Sequence, residues 1–347
     1  MKSNPHPFHV SFLFDLDDHG GLGLGVPWKL RDQSHFFSNA YFFALSADAW
    51  EIRGEEFVLK FWIVLLALFV QTSAFAKDKV VTTFSVLEDI VLHLSDDEIE
   101  VVNLVPGGTD PHLFEPGPRE LNKVREAKIL FANGLHFEPW LDHLVKASPD
   151  GLIVVYASRD VKPRTLGEHG LHIEDPHAWN SPKELVSYIQ VVADELAKAF
   201  PKEAVDVRRR AKDFIAKIES IHTHFAKKFE QTPESKRVLL TTHDAAGYLA
   251  KAYSIRTISP IGLSTSEDFK TADLSRLLAD INRYKVKMIF TEPSHHKVLS
   301  ERLAAKAKLR LGAELYLDGL SAKGGPADTV EKMLNHNLES ILVSMER

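Results

Sequence analysis

From residue 77 onward, apolar and polar positions alternate between two rhythms. The stretches 79–85, 99–105, 128–132 and 152–157 are short, rich in Val, Ile and Leu, and bounded by polar or Pro/Gly residues. They predict strands, and 86–94, 118–126 and 138–147 between them carry apolar residues at helical spacing. Pro106-Gly-Gly108 breaks the second strand. The same pattern returns with strands at 238–242, 257–261, 287–290 and 314–317 and helices at 245–252, 272–284, 297–307 and 329–345. Strand–helix alternation of this kind predicts parallel sheets covered by helices.

Between the two halves, 201–231 reads as one helix of about eight turns. Pro201 suits a first helical position, and Val205, Phe214, Ile218, Ile221 and Phe225 supply an apolar stripe. The expected fold class is therefore α/β: two parallel-sheet lobes, 77–200 and 232–347, joined by one long linker helix. Such a helix is a stiff connection, unlike a Gly/Ser hinge. Residues 158–176 read as a long loop rich in charge and histidine, and long loops within compact domains are commonly functional.

The start of the chain follows a different pattern. The run 61–70 is apolar, is preceded by Lys60, and is followed by Ala74 and Ala76 in a small-x-small arrangement. It is too short for a spanning helix, which needs about 20 apolar residues. Residues 57–76 read as a secretory signal cut after Ala76. Residues 1–56 lack periodicity and are either a spurious upstream extension or a disordered one. In the first case translation begins at Val58 from an alternative start codon, and Gly54-Glu55-Glu56 is a ribosome-binding sequence read as protein.

Composition narrows the chemistry. The chain has 347 residues, a net charge of −6 and no basic stripe, so neither nucleic acid nor an anionic membrane surface is an expected partner. Cysteine is absent, which removes thiolate metal sites and thiol catalysis, whereas His numbers 17. A transition-metal site would have to use His, Asp and Glu.

Ligands of open α/β sheets bind beyond the carboxyl ends of strands. Four potential metal ligands occupy such exits: His112 in Gly107-Gly-Thr-Asp-Pro-His112, His177 in Glu174-Asp-Pro-His177, His243 and Asp318. They are separated by 65, 66 and 75 residues, so only the fold could assemble them, in the cleft between the lobes. Proline in each Asp-Pro-His copy stiffens the approach to the imidazole. Asp110 and Asp175 read as turn formers. Three imidazoles and a carboxylate suit tetrahedral Zn²⁺, whereas Mn²⁺ favours more oxygen.

These motifs resemble the metal-binding proteins of zinc and manganese ABC importers, the group with a rigid linker helix. The resemblance runs from about residue 77 to the end. It is carried by Gly108-Thr-Asp-Pro-His-Leu-Phe-Glu-Pro116, Asn133-Gly-Leu-His-Phe-Glu-Pro-Trp140, Asp175-Pro-His-Ala-Trp179, Thr242-His-Asp-Ala-Ala-Gly-Tyr248, Phe290-Thr-Glu-Pro293 and Leu315-Tyr-Leu-Asp-Gly-Leu320. It implies His112, His177, His243 and Asp318 as ligands of one buried ion, Zn²⁺ with Mn²⁺ as the alternative. It further implies a periplasmic monomer that passes the ion to a membrane permease and its ATPase. Relatives held by a lipid on a Cys would differ from this Cys-free chain, which is expected to have no lipid anchor.

The His-rich loop of many zinc members is brief here; His169 and His172 either capture zinc or are solvated. His136 reads as structural, and His222, His224, His295 and His296 as packed or solvated. Glu115, Asp244 and Glu292 are candidates to support the ligands. The alternatives to zinc transport are manganese transport, an adhesin on the same scaffold, and a zinc hydrolase. The last would need an open coordination position for water, and no H-E-x-x-H helix is present. No catalytic residue is expected.

Overall fold

The computed structural model describes residues 78–148, 150–168, 171–263, 271–293 and 297–346, together with Trp62. The expectations for 1–56, for the signal at 57–76 and for His169, His295 and His296 lie outside these residues, apart from Trp62.

Strand β1 (Asp78–Phe84) lies inside a four-stranded parallel sheet with β2 (Ile99–Val105), β3 (Ile129–Ala132) and β4 (Ile153–Tyr156), in the order β2-β1-β3-β4. All of β3 and residues 80–84 of β1 are buried, as inner strands of a doubly covered parallel sheet must be. Helix α1 (Ser85–Leu94) follows β1 directly and buries Val86, Leu87, Ile90, Val91 and Leu94 on one face. Helices α2 (Pro118–Arg125) and α3 (Leu141–Lys146) make the next crossovers.

The segment expected as a loop is largely a hairpin. β5 (Thr165–Glu168) runs antiparallel to β6 (Leu171–Glu174), with Leu166 opposite Ile173 and Gly167 opposite His172. Helix α4 (Pro182–Ala199), for which no element was expected, buries Leu185, Tyr188, Ile189, Val192 and Leu196. Pro182 opens it, and the Ser181 hydroxyl bonds the Glu184 carboxylate.

Helix α5 (Ala204–Gln231) is the long connecting helix and packs on α4 and α1. It starts after a turn at 201–203, and Val205 is 79% exposed rather than part of the stripe. The buried face is Val207, Ala211, Phe214, Ile218, Phe225 and Phe229, a spacing that keeps one side of a 3.6-residue helix inward.

The second half alternates β7 (Val238–Leu240), α6 (Gly247–Tyr253), β8 (Arg256–Ile258), α7 (Thr271–Arg283), β9 (Met288–Thr291), α8 (Lys297–Ala307), β10 (Arg310–Glu314) and α9 (Val330–Glu346). β7 pairs β8 and β9 pairs β10, both parallel. The last strand ends where it was expected to begin. Residues 315–317 are buried, but Asn337 of α9 partners Tyr316 in place of a strand: Tyr316 N–H donates to Asn337 Oδ1 (3.0 Å), and Asn337 Nδ2 donates to Tyr316 C=O (2.8 Å).

One apolar core runs from the first sheet through α1, α4 and α5 to Leu315, Leu317 and α9. A smaller core of Leu240, Ile258, Leu277, Ile281, Ile289 and Leu303 lies in the second half. The main core thus draws on both halves of the chain. Among the described residues no helix is long and apolar enough to cross a membrane.

Candidate metal centre

Each of the four strand-exit residues is held by its own local device. The two Asp-Pro-His turns are built alike: Asp110 Oδ1 accepts the His112 N–H (2.9 Å), and Asp175 Oδ1 accepts the His177 N–H (3.0 Å). His243 follows β7, and a single bridge to Ile261 extends the β7–β8 ladder to it. Asp318 follows the stretch that Asn337 secures.

The structure brings the four together. One nitrogen of each His and one oxygen of Asp318 all lie within 4.8 Å of one another. Asp318 Oδ1 is 3.1 Å from His243 Nε2, 3.3 Å from His177 Nε2 and 3.7 Å from His112 Nε2, and the His112 and His177 Nε2 atoms are 3.2 Å apart. A tetrahedral ion with ligands at about 2.0–2.1 Å has ligand–ligand edges of about 3.3 Å. The measured edges bracket that value.

Two of the rings have a carboxylate behind them. His177 Nδ1 lies 2.8 Å from Asp175 Oδ1, and His243 Nδ1 lies 2.5 Å from Glu292 Oε2. Each carboxylate favours the tautomer with the proton on Nδ1 and leaves the Nε2 lone pair facing the other ligands. Glu292 is itself fixed by the Thr242 N–H (3.1 Å) and hydroxyl (2.5 Å). Asp175 was therefore more than a turn former; the repeated Asp-Pro-His was the available signal. Glu292 lies behind the His243 ring, where a carboxylate supporting that ring would stand. Glu115 is exposed, and Asp244 pairs with Arg164 rather than with a His ring.

Electrostatics follow from this crowding. Burial disfavours the His243 cation, yet Asp318 and Glu292 outweigh it and hold the imidazole well above its ordinary pKa. Burial opposes the His177 cation too, and its bonds to Asp175 and Asp318 reverse the sign. Burial alone would raise Asp318, but His243, His112 and His177 hold it well below the usual carboxylate range. An incoming cation therefore meets an ionised Asp318 and competes with the protons that His177 and His243 hold.

The surroundings are dry on one side. Phe84, Phe137 and Trp179 stack edge-on and tilted, with centroids 4.7–5.0 Å apart, and the His112 ring meets Phe137 at 4.9 Å. A cavity of about 20 Å³, lined by Gly108, Asp110, Glu292 and Asp318 among others, adjoins the cluster. It has room for one water-sized particle and none for an organic solute.

Bonds across the two halves frame the site. Trp179 Nε1 and Asn180 Nδ2 both donate to Leu317 C=O (3.1 and 2.8 Å), and Gly108 N–H donates to Leu320 C=O (2.9 Å). Gly107 is needed for this approach, because a Cβ there would lie 2.3 Å from the Ser321 carbonyl oxygen. Of the remaining histidines, His136 is exposed at positive φ, His172 is exposed on β6, His222 meets the Tyr253 hydroxyl (3.2 Å) and His224 is exposed. None of them joins the cluster. Arg164, which sequence reasoning passed over, touches both Asp175 and Asp244.

The family of the zinc-uptake complex component A, periplasmic (ZnuA), matches residues 80–343. A manganese-binding lipoprotein, MntA, of Halalkalibacterium halodurans is 26% identical over 78% of this chain and 89% of its own length. An iron ABC transporter substrate-binding lipoprotein, MtsA, of Streptococcus pyogenes is 28% identical over 78% of this chain and 90% of its own. The solved periplasmic zinc-binding protein TroA of Treponema pallidum superposes with a TM-score of 0.74 at 26% identity, over 78% of this chain and all of that one. The curated relatives are named lipoproteins, so the expectation of a form without a lipid anchor is not borne out. Their names give manganese and iron where zinc was expected. The chain belongs to the ZnuA family of extracytoplasmic substrate-binding proteins, which bind a metal ion and work with the permease and ATPase of ABC importers, and which are not enzymes.

Proposed function

We propose that this protein captures Zn²⁺ as its cargo, with His112, His177, His243 and Asp318 as the ligands, and delivers it to the importer's permease. The observation that carries this reading is the set of ligand-to-ligand distances of 3.1–3.7 Å around Asp318 Oδ1. Three imidazole nitrogens with one carboxylate oxygen form a donor set suited to zinc, whereas manganese prefers more oxygen donors. A cleft of ion size favours an ion over any organic substrate.

Capture would begin at ionised Asp318, after which the ring nitrogens lose their protons to the solvent and bind. In this reading 77–200 and 232–347 act as two lobes and 201–231 as their link. The shared core and the bonds to Leu317 and Leu320 keep their relative motion small. Residues 57–76 would direct export to the periplasm. Zinc is favoured over the manganese and iron of the relatives' names by His243, which adds a third nitrogen.

Native mass spectrometry of protein purified without added metal tests the reading. We expect one bound ion, identified as zinc, and no ion in His177→Ala. Manganese or iron in equimolar competition with zinc would overturn the metal assignment, and retention of the ion by His177→Ala would overturn the ligand set.

A further inference from the structure

Arg164 stands at the base of the β5–β6 hairpin, and its contacts reach both halves of the chain. Its Nη1 lies 2.5 Å from Asp175 Oδ2, and its Nη2 lies 3.2 Å from Asp244 Oδ2. Asp175 is the carboxylate behind His177, while Asp244 directly follows His243. Backbone bonds reinforce the bridge. Arg164 N–H donates to the Tyr248 hydroxyl (2.8 Å), which donates to Asp175 C=O (2.9 Å), and Asp175 N–H donates to Arg164 C=O (2.8 Å).

The bridge has a passage made for it. A Cβ at Gly247, the first residue of α6, would lie 1.8 Å from Arg164 Nη1 and 2.1 Å from its Cζ. A side chain at Gly247 would push the guanidinium out of the position it holds here. Arg is suited to the task because its planar fork engages two carboxylates with fixed geometry, which a flexible Lys cannot do.

We infer that Arg164 is a positioning residue for metal retention: by clamping Asp175 to Asp244 it holds the His177 turn and the His243 turn at the separation one ion requires. The inference rests on the proposed ligand set, but concerns a residue that touches no ion. A clamp of this type acts on the assembled site, so its loss should speed release and leave capture nearly unchanged. Partners that orient ligands typically contribute about 10–100-fold to metal affinity.

The test is stopped-flow dissociation of Zn²⁺ into excess chelator, with association measured in parallel, on the full chain. Arg164→Met keeps the length and loses the fork. We expect its dissociation rate to rise about 10–100-fold, with association within about threefold of the parent. Asp244→Asn cuts only the second-half end and supplies the answer if Arg164→Met does not fold. It should speed release in the same direction, and the double variant should be no worse than the worse single one. Dissociation within twofold of the parent in both single variants, or fully multiplicative effects in the double, overturns the clamp. If His177→Ala also releases zinc at the parental rate, the ligand set itself is wrong, an outcome distinct from a correct site without a clamp.

Discussion

Glu138 shows how a single buried side chain converts geometry into pH dependence. It is enclosed, accepts the Thr83 hydroxyl (2.6 Å) and the N–H groups of Asn133 (2.7 Å) and Gly134 (3.2 Å), and so ties the 133–138 loop to β1. Burial outweighs those three bonds and pushes its pKa up to about 7 from an ordinary 4.5. With the folded value raised, the folded state keeps a proton that the unfolded state releases. The stability contributed by this proton is therefore fully present below pH 4.5 and is lost as pH rises through about 7, by about 3 kcal/mol for a shift of this size. Denaturant melts of Glu138→Gln should lose that slope, even though the amide gives up the bond from Gly134. The same scale governs affinity for the cargo. Because a ligating nitrogen must be unprotonated, and because the metal-free His243 and His177 hold protons more tightly than a free imidazole, affinity should fall steadily as pH drops from 8 to 6. Calorimetry across that range would register it, and Glu292→Gln should flatten the dependence by releasing the His243 proton more readily.

At the scale of elements, α5 provides a clean contrast between its two faces. Val207→Ala should cost about 2 kcal/mol of stability, because that side chain is fully buried, while Val205→Ala should stay within about 0.5 kcal/mol. A chemical-denaturation pair would check both. Asn337→Ala would orphan the buried Tyr316 N–H and C=O, costing about 1–3 kcal/mol for each. It should also weaken metal binding, since Asp318 lies two residues beyond Tyr316.

The sequence made elements such as β2 and α8 legible to the residue, because apolar periodicity and flanking turn residues agreed there. It hid others for identifiable reasons. The β5–β6 hairpin was masked by its charge and His, although Leu166 and Ile173 keep the alternation. The stretch 315–317 is apolar enough to read as a strand, yet a side-chain amide from α9 completes its bonding. Val205 is apolar, but it precedes Phe214 by nine residues (214 − 205), which on a 3.6-residue helix places it on the opposite face, towards solvent. The candidate site was legible because each of its four residues follows a strand or strand-like run. Arg164 was not, since a bridge between two remote carboxylates leaves no local pattern.

For the whole molecule, the decisive feature is that the main apolar core is shared by both halves, the second half adding a smaller cluster of its own. Phe214 and Ile218 on α5, Trp179 after the hairpin and Leu317 before Asp318 belong to one apolar body. Opening the cleft widely would expose that body and break the bonds to Leu317 and Leu320. Metal exchange in this fold should thus involve the turns that carry His112 and His177 more than any rotation of one half on the other. All of this presupposes one ion at the meeting point of four remote side chains. X-ray absorption at the zinc edge of the zinc-loaded protein tests that most directly. The account predicts a four-coordinate ion with imidazole back-scattering from three rings, and nitrogen and oxygen shells at about 2.0–2.1 Å. A six-coordinate shell of oxygen atoms without imidazole scattering would contradict it.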